Sequence, residues 1–470
     1  MRDSIQPARL TRSWRADLLA AALLLSVVLV TGCTGSSGSP AAAATRGAAN
    51  PSGVAATAAS MVSGCLLPPA TCYAPHVFQV AYGIQPLLDR GIDGRGETVT
   101  VLAPAPPPSA LVPNSSVPPG GGAGAGATDI RQDLAAFDSQ FRLPAARIQV
   151  VNSLAHAASP WQAADEEAQD VEVVHAVAPA ATLRVVLLPS GVLDDAANAT
   201  AGMLNGLRLA VAGTDVAAIC WSLGEHYFTK AQAAQMHSIL LRAEADHVTV
   251  VASSGDNGGF SDTPFGGTPV KEVSLPASDP LVLAAGGTTL TANPSTGAYI
   301  SETPWNGQAG FSISGGASGG GFSHLYARAS YQEGLPGIPT MRGVPDVAGD
   351  AYQSSGVSIV TVIGGQSGIS PASGTSASAS LWAGLMALAD QYARHDLGFV
   401  NPAIYRIARS SSYHQAFHDV TTGSNIQTLP YPAGTAGYQA GPGWDPATGW
   451  GSPNAQALVP LLARLTRPIL

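Results

Sequence analysis

Residues 373–389 read SGTSASASLWAGLMALA, a Gly-Thr-Ser turn followed directly by a long apolar segment that predicts a buried helix. At the start of such a helix, the free backbone N–H groups and the helix dipole favour negative charge that develops on a hydroxyl. Ser376 is therefore a candidate nucleophile for acyl transfer. Taken alone, however, this motif more often means that Ser376 or Ser378 only caps the helix, because serine is a preferred N-cap residue.

Upstream of this helix, apolar runs of strand length alternate with amphipathic helical segments. Strands are predicted at 98–102, 148–151, 182–188, 216–220 and 248–252, and helices at 129–141, 165–177, 196–212 and 230–245. Near-continuous apolar strands separated by helices predict an α/β fold with a parallel sheet covered on both faces. In such a sheet, functional groups gather beyond the carboxyl ends of the strands.

The composition narrows the function classes. Only 11% of the 470 residues are charged and the formal net charge is −9, so no basic surface is available to neutralise the phosphates of a nucleic acid. A low charge density also suits an acidic environment, because few stabilising ion pairs are lost when carboxylates become protonated.

The amino terminus has the pattern of a targeting segment. Four arginines among the first fifteen residues precede an apolar run at 18–30, which is too short to span a bilayer comfortably. The run ends in Thr31-Gly32-Cys33, which resembles a bacterial lipobox and predicts a signal peptide at residues 1–32 with lipidation of Cys33. A short uncleaved anchor is the alternative. In both cases we expect the protein to work outside the cytoplasm, as a membrane lipoprotein or a secreted protein.

The remaining chain is predicted to consist of a tether and one large domain. The predicted tether, residues 33–63, consists almost entirely of Ser, Gly, Ala, Thr and Pro, which is typical of a flexible linker. The predicted domain extends over residues 64–465. A Pro/Gly-rich stretch at 104–127 is predicted to be a loop insertion, and no segment is recognisable as a folded propeptide. Cys65 and Cys72 are candidates for a disulfide, and Cys220 is predicted to be a buried strand thiol.

Two further segments carry carboxylates suited to acid–base chemistry. Glu166 and Asp170 lie four residues apart in a predicted helix, so both project from one face, and two adjacent carboxylates form an acid–base pair. Asp256 follows a buried strand in a Gly-flanked loop, where a protonated carboxyl could donate a hydrogen bond to an oxyanion. Without other information, a solvated acidic helix face and an Asx turn are the commoner explanations.

Two loops near the carboxyl terminus contain Asp419 and Asp445 among glycines. Carboxylates with neighbouring backbone carbonyls make an all-oxygen site that suits a hard cation such as Ca²⁺. Each loop taken singly is more often just a turn. The histidines argue against a Ser–His–Asp triad. None of the ten is followed by glycine, so the chain offers no obvious histidine base for such a triad.

Together these segments resemble the sedolisin family, the serine-carboxyl peptidases. The resemblance extends from about residue 72 to residue 453 and also includes the motifs SLGE at 222–225, PASDP at 276–280, AGGTT at 285–289, GGGFS at 319–323 and VPDV at 344–347. It implies a subtilisin-like parallel sheet with helices on both faces, a single catalytic domain, and acid endopeptidase cleavage through an acyl-enzyme. The expected substrate is a protein or peptide, and the expected state is a monomer.

The resemblance also implies a role for each site residue. Ser376 would be the nucleophile, Glu166 the general base, Asp170 the residue that polarises Glu166, and Asp256 the group that stabilises the oxyanion. One structural Ca²⁺ would be held by Asp419, Val420, Gly441, Gly443 and Asp445. Ala103-Pro104-Ala105 stands where an outer acidic residue of the family is expected, which suggests a shorter proton network.

Two other functions remain open at this point. A non-catalytic surface protein could keep the fold and bind peptides or a partner, which the missing propeptide favours and the intact set of four acid and hydroxyl residues disfavours. A neutral subtilisin-type protease is disfavoured by the absent histidine motif.

Overall fold

The computed structural model describes residues 72–104, 128–152, 162–163, 165–189, 192, 194–262, 264–265, 268–307, 316–363, 366–429 and 433–466. The predicted signal peptide and tether, with Cys33 and Cys65, lie outside the described residues, as does nearly all of the predicted insertion at 104–127. Within the described part of the chain, every helix is too short or too polar to cross a membrane.

An eight-stranded sheet forms the centre of the fold. Its strands are β1 (Thr98–Pro104), β2 (Arg147–Asn152), β3 (Thr182–Leu188), β4 (Val216–Ile219), β5 (Thr249–Ser253), β6 (Leu283–Ala292), β7 (Tyr299–Pro304) and β8 (Val347–Asp350). The order is β7-β6-β5-β4-β1-β3-β2, and β8 pairs with β6 beside this path. All pairs are parallel except β6 with β7, so the predicted parallel sheet is confirmed.

Helices cover both faces of the sheet, which explains why the strands are apolar without alternation. On β4, Val216 and Ala218 pack into one hydrophobic cluster, whereas Ala217 and Ile219 pack into the cluster on the opposite face. A strand buried on both sides requires apolar residues at every position.

The helices are α1 (Pro75–Ala81), α2 (Gln85–Leu88), α3 (Ile130–Phe141), α4 (Asp165–Val177), α5 (Ala196–Ala210), α6 (Lys230–Ala245), α7 (Gly374–Ala393), α8 (Asn401–Ala408), α9 (Tyr413–Ala416) and α10 (Ala455–Leu465). Helices α4 and α7 lie on one face of the sheet, and α5 and α6 lie on the other. Residues 374–390 of α7 are all buried, because the sheet, α4 and α10 surround the helix. A helix that is apolar on every side is stable only in such a place.

Most predicted bounds agree with the structure. Helices α4 and α6 have the predicted limits, and α5 ends two residues early at Ala210. Helix α3 begins at Ile130, because Asp129 is its N-cap and accepts a hydrogen bond from the N–H of Arg131. Strand β1 continues to Pro104, two residues beyond its predicted end.

Short antiparallel pairs complete the described structure. They join Thr128–Asp129 with Gln162–Ala163, Leu223–Gly224 with Ser274–Leu275, Gly321–Ala327 with Met341–Val344, Ser358–Ile363 with Gln366–Pro371, Phe417–His418 with Ser452–Pro453, and Gln427–Leu429 with Gly434–Ala436.

Candidate active site

The first turn of α7 presents Ser376. Ser373 is the extended N-cap residue, and Gly374 has φ +85°, a conformation that glycine adopts without strain. No side chain makes the N-terminal capping bond, so the capping explanation for Ser376 and Ser378 does not hold. Ser376 is only 4% exposed, and its Oγ is therefore held in a largely dry site at the positive end of the helix dipole.

Helix α4 packs against α7 and turns its polar face toward Ser376. Asp170 is fully buried there, and Ser380 of α7 directs its Oγ to Asp170 Oδ1 at 3.4 Å. Glu166 belongs to the first turn of α4, four residues before Asp170, and its side chain lies outside the described residues. The structure thus brings Asp170 and Ser376 to one helix–helix interface.

Gln169 is the direct contact between α4 and the candidate nucleophile. Its Nε2 donates to Ser376 Oγ at 3.2 Å and to the carbonyl oxygen of Ser373 at 2.9 Å. Its Oε1 accepts the N–H of Ser373 at 2.8 Å. The side chain is 4% exposed, so these bonds are made away from water and fix the start of α7 relative to α4.

Asp256 reaches the same site from the loop after β5. Its Oδ1 accepts both the N–H of Thr375 at 2.8 Å and the Thr375 hydroxyl at 2.7 Å. Its Oδ2 lies 3.0 Å from the point where a Cβ on Gly374 would stand, and Ser376 Oγ lies 3.1 Å from that point. Only glycine leaves this space open, and the Asp256 carboxyl and the Ser376 hydroxyl therefore face each other across Gly374.

A second acid, Asp262, accepts hydrogen bonds from the loop that carries Asp256. Asp262 Oδ1 accepts the N–H of Asp256 at 3.2 Å and the Asn257 amide at 2.7 Å, and Ser222 Oγ donates to Asp262 Oδ2 at 2.5 Å. Burial raises the pKa of Asp262, although these hydrogen bonds oppose the shift. The loop that carries Asp256 is thereby held in one conformation.

The two carboxyl-terminal acids each accept a backbone N–H from the glycine-rich segment 441–443. Gly443 donates its N–H to both carboxylate oxygens of Asp419 at 3.1 Å, and Gly441 donates to Asp445 at 3.0 Å. Burial raises the pKa of Asp445 to about 6. Burial also raises the pKa of Tyr413, and the charges of Asp419 and Asp445 raise it further. The carboxylates of Asp419 and Asp445, together with backbone carbonyl groups of the same loops, are oxygen ligands of the kind that suits a hard cation such as Ca²⁺.

Sequence reasoning missed Gln169, Thr375 and Asp262 as contributors to the site. Gln169 could have been found from helical spacing, because it lies three residues after Glu166 on the same face. Thr375 lies within the Gly-Thr-Ser turn itself. Asp262 gives no local signal, because an irregular loop separates it from Asp256.

The histidine and the cysteines that the sequence analysis singled out lie outside the candidate active site or make structural contacts. His175 is fully buried, and its Nε2 lies 3.0 Å from the Pro144 carbonyl oxygen and 2.9 Å from Asp138 Oδ1, so it links α4 to α3 and to the segment after α3. Cys220 is buried as predicted, directly after the last residue of β4, and its Sγ lies 3.3 Å from Ser380 Oγ. Cys72 is disulfide-bonded with a partner outside the described residues, so its pairing with Cys65 stays a prediction.

Comparisons with known proteins identify the family. A model of the subtilase family of peptidases matches residues 156–451. Kumamolisin of Bacillus sp. (strain MN-32) is 37% identical over 311 residues, which are 62% of this chain and 50% of that protein. Sedolisin of Pseudomonas sp. (strain 101) is 39% identical over 220 residues, or 46% of this chain and 35% of that protein. The matched region thus spans half or less of these relatives.

The solved structure of Pseudomonas sedolisin, a serine-carboxyl proteinase complexed with two molecules of pseudo-iodotyrostatin, is also similar. It shares 26% sequence identity and superposes with a TM-score of 0.63, covering 83% of this chain and 98% of that one. This chain therefore belongs to the subtilase family and, within it, to the sedolisin group of serine peptidases.

Proposed function

We propose that this protein is an acid-active serine-carboxyl endopeptidase that works outside the cytoplasm, held to the membrane by a lipid on Cys33. The observation that carries the proposal is the position of Ser376 Oγ, which lies across Gly374 from the Asp256 carboxyl and accepts a hydrogen bond from Gln169, the residue before Asp170 on α4. A nucleophile, a buried carboxylate and a carboxyl donor near one helix N-terminus are parts that acyl transfer requires.

In the first step, Ser376 Oγ attacks the carbonyl carbon of the peptide bond and its proton passes to the Glu166 carboxylate. Asp170 holds Glu166 in position and stabilises the proton there. The carbonyl oxygen becomes an oxyanion, and the protonated Asp256 carboxyl donates a hydrogen bond to it. The tetrahedral intermediate then collapses to an acyl-enzyme, and Glu166 returns the proton to the leaving amine.

Water completes the cycle by attacking the acyl-enzyme, with Glu166 again taking a proton and Ser376 released as the free hydroxyl. A carboxylate base works at about pH 3–5, where an imidazole would be protonated and unable to accept a proton. Asp256 donates only while protonated, which restricts activity to acid. The low charge density of the chain agrees with this working range.

A structural Ca²⁺ is part of the proposal. Asp419 and Asp445 would provide the side-chain ligands, and the carbonyl groups of Val420, Gly441 and Gly443 would provide the backbone ligands. A bound Ca²⁺ would neutralise two carboxylates that share one loop pair and link the two loops. It takes no part in the proton transfers described above.

The test is hydrolysis of a denatured protein substrate by the full-length protein between about pH 3 and pH 7, beside two serine variants. Ser376→Ala should lower kcat by at least about 10³-fold. Ser378→Ala is the matched control, because this serine is buried in the same turn of α7, and it should keep wild-type kinetics. Equal activity of wild type and Ser376→Ala would refute the mechanism, and a folded but inactive wild type would favour a peptide-binding protein.

A third variant tests the role of Asp256. An amide donates a hydrogen bond at every pH, whereas a carboxyl donates only in its protonated form. Asp256→Asn should therefore retain activity toward neutral pH, where the wild-type rate falls. A wild-type fall that persists unchanged in Asp256→Asn would assign the pH limit to another group.

The membrane anchor has its own test. Wild-type protein expressed in a bacterial host should partition with membranes and carry a labelled fatty acid, and Cys33→Ala should lose both properties. A wild-type protein that is unlabelled and remains in the soluble fraction would refute the lipid anchor and leave the peptidase proposal intact.

A further inference from the structure

Ser380 is a second buried serine on the face of α7 that packs against α4. It lies four residues after Ser376, and residues at this spacing project from one side of a helix. The two serines contact consecutive residues of α4. Ser376 Oγ accepts a hydrogen bond from Gln169 at 3.2 Å, and Ser380 Oγ donates to Asp170 Oδ1 at 3.4 Å. Ser380 therefore touches the acid that the proposed mechanism places behind the general base.

A thiol from the sheet contacts Ser380 on its other side. Cys220 directly follows the last residue of β4, and its Sγ lies 3.3 Å from Ser380 Oγ. A serine hydroxyl carries a single proton. Because Ser380 directs this proton to Asp170, the Cys220 thiol is the donor to Ser380 Oγ. The hydrogen bonds thus run from the end of β4 through α7 to α4, three elements that are distant along the chain.

These contacts are made away from water. Ser380 and Asp170 are fully buried, and Cys220 is buried beside them. A hydrogen bond in such surroundings is stronger than in water, so a single hydroxyl can fix the rotamer of a carboxylate. At 3.4 Å the bond to Asp170 is long, as hydrogen bonds of catalytic groups often are before a substrate binds.

The neighbouring strand supplies neutral residues at this point. The N–H of Cys220 donates to the carbonyl oxygen of Leu102 at 3.4 Å, so Cys220 lies beside the end of β1. That strand continues with Ala103 and Pro104, neither of which has an ionisable group. The groups that follow Asp170 in this series of contacts are therefore a hydroxyl and a thiol.

We propose that Ser380, held by Cys220, is a positioning residue that fixes the orientation of the Asp170 carboxylate. The role of Ser380 rests on the proposed function, in which Asp170 holds Glu166 and stabilises the proton there. A carboxylate that can rotate meets this proton less often in the productive geometry, so its release affects the chemical step and not the binding of the peptide. Ser380 acts only through Asp170.

Steady-state hydrolysis of a peptide substrate by the full-length protein tests this role. Ser380→Ala should lower kcat about tenfold and leave KM nearly unchanged, because only the transition state uses the oriented carboxylate. Ser378→Ala is the matched control and should keep the wild-type kcat. Ser378 is equally buried on α7, but its Oγ has no hydrogen-bond partner among the described residues. Equal kcat values for these three proteins would overturn the proposal.

A double-mutant cycle separates positioning from a general loss of packing. In the Asp170→Ala background, measured at higher enzyme concentration, Ser380→Ala should change kcat by less than about twofold, because the group that it orients is gone. The same tenfold loss in both backgrounds would assign the effect to packing and overturn the proposal.

The S–H stretching band in the infrared gives a measurement that needs no activity. Hydrogen bonding changes the frequency of this band, so the band that Cys220→Ser removes should shift in Ser380→Ala and stay in place in Ser378→Ala. An unmoved band would overturn the contact between the thiol and the hydroxyl.

The kinetic data also separate the two proposals. Equal hydrolysis by wild type and Ser376→Ala would remove the proposed function and the positioning role together. An active wild type with unchanged kcat in Ser380→Ala would overturn the positioning role alone.

Discussion

A methyl group at Gly374 would probe the arrangement of the proposed active site directly. The Cβ of Gly374→Ala would lie 3.0 Å from Asp256 Oδ2 and 3.1 Å from Ser376 Oγ, which is closer than ordinary carbon–oxygen contacts. Both groups must retreat by a few tenths of an ångström. Because a displacement of about 1 Å at a reacting centre costs about 10²-fold in rate, we expect kcat to fall about 10- to 100-fold.

The same substitution also strains the backbone. Gly374 has φ +85°, and an alanine in the left-handed region costs about 1–2 kcal/mol. Gly337→Ala is the matched control, because Gly337 has φ +80° and its Cβ would have nothing within 4 Å. Both variants should lose about 1–2 kcal/mol of unfolding free energy in urea denaturation. Only Gly374→Ala should lose activity.

The assay is steady-state hydrolysis of a peptide substrate at the acid optimum, with the unfolding free energy of each variant measured in the same buffer. Wild-type kcat in Gly374→Ala would refute the geometry, since the Asp256 and Ser376 side chains would then not converge on this point. An equal loss of kcat in Gly337→Ala would show that backbone strain alone lowers the rate.

Three further predictions follow from buried polar groups. Gln169→Leu keeps the side-chain volume but removes the hydrogen bonds to Ser373 and Ser376. In steady-state assays, kcat/KM should therefore fall about tenfold while KM changes little. An unchanged kcat/KM would show that α4 positions the serine without this amide. Burial raises the pKa of Asp350 to about 7, so its carboxyl should cost up to about 4 kcal/mol of wild-type stability as pH rises from about 4 to 7. Denaturant titrations at both pH values should show a smaller loss of stability for Asp350→Asn. Equal pH dependence of the two proteins would contradict this. A chelator at pH 7 should lower the unfolding temperature of wild type more than that of Asp445→Asn, and an equal decrease would exclude Asp445 as a calcium ligand.

The sequence was informative wherever the signal is local. Apolar runs and helical spacing predicted the strands of the parallel sheet and helices such as α4 (Asp165–Val177) and α6 (Lys230–Ala245), because burial on both faces demands a distinctive pattern. Element ends shifted by one or two residues, as at Asp129, where a side chain caps the helix. The short hairpins were not predicted, because pairs of two or three residues carry almost no periodic signal.

The candidate site divides in the same way. Residue type and spacing made Ser376, Glu166, Asp170 and Asp256 candidates, because a hydroxyl before an apolar helix and acids four residues apart are local patterns. The resemblance to the sedolisins then assigned each of them a role. Only the tertiary structure decided that Gln169 touches Ser376 Oγ.

Long-range contacts outside that interface were likewise invisible in the sequence. The support of the Asp256 loop by Asp262, and the contact of Cys220 with Ser380, depend on where elements and loops distant along the chain come together. The residue type gives the chemistry of each side chain. Strand order and helix packing decide which side chains come into contact, and no local sequence pattern encodes them.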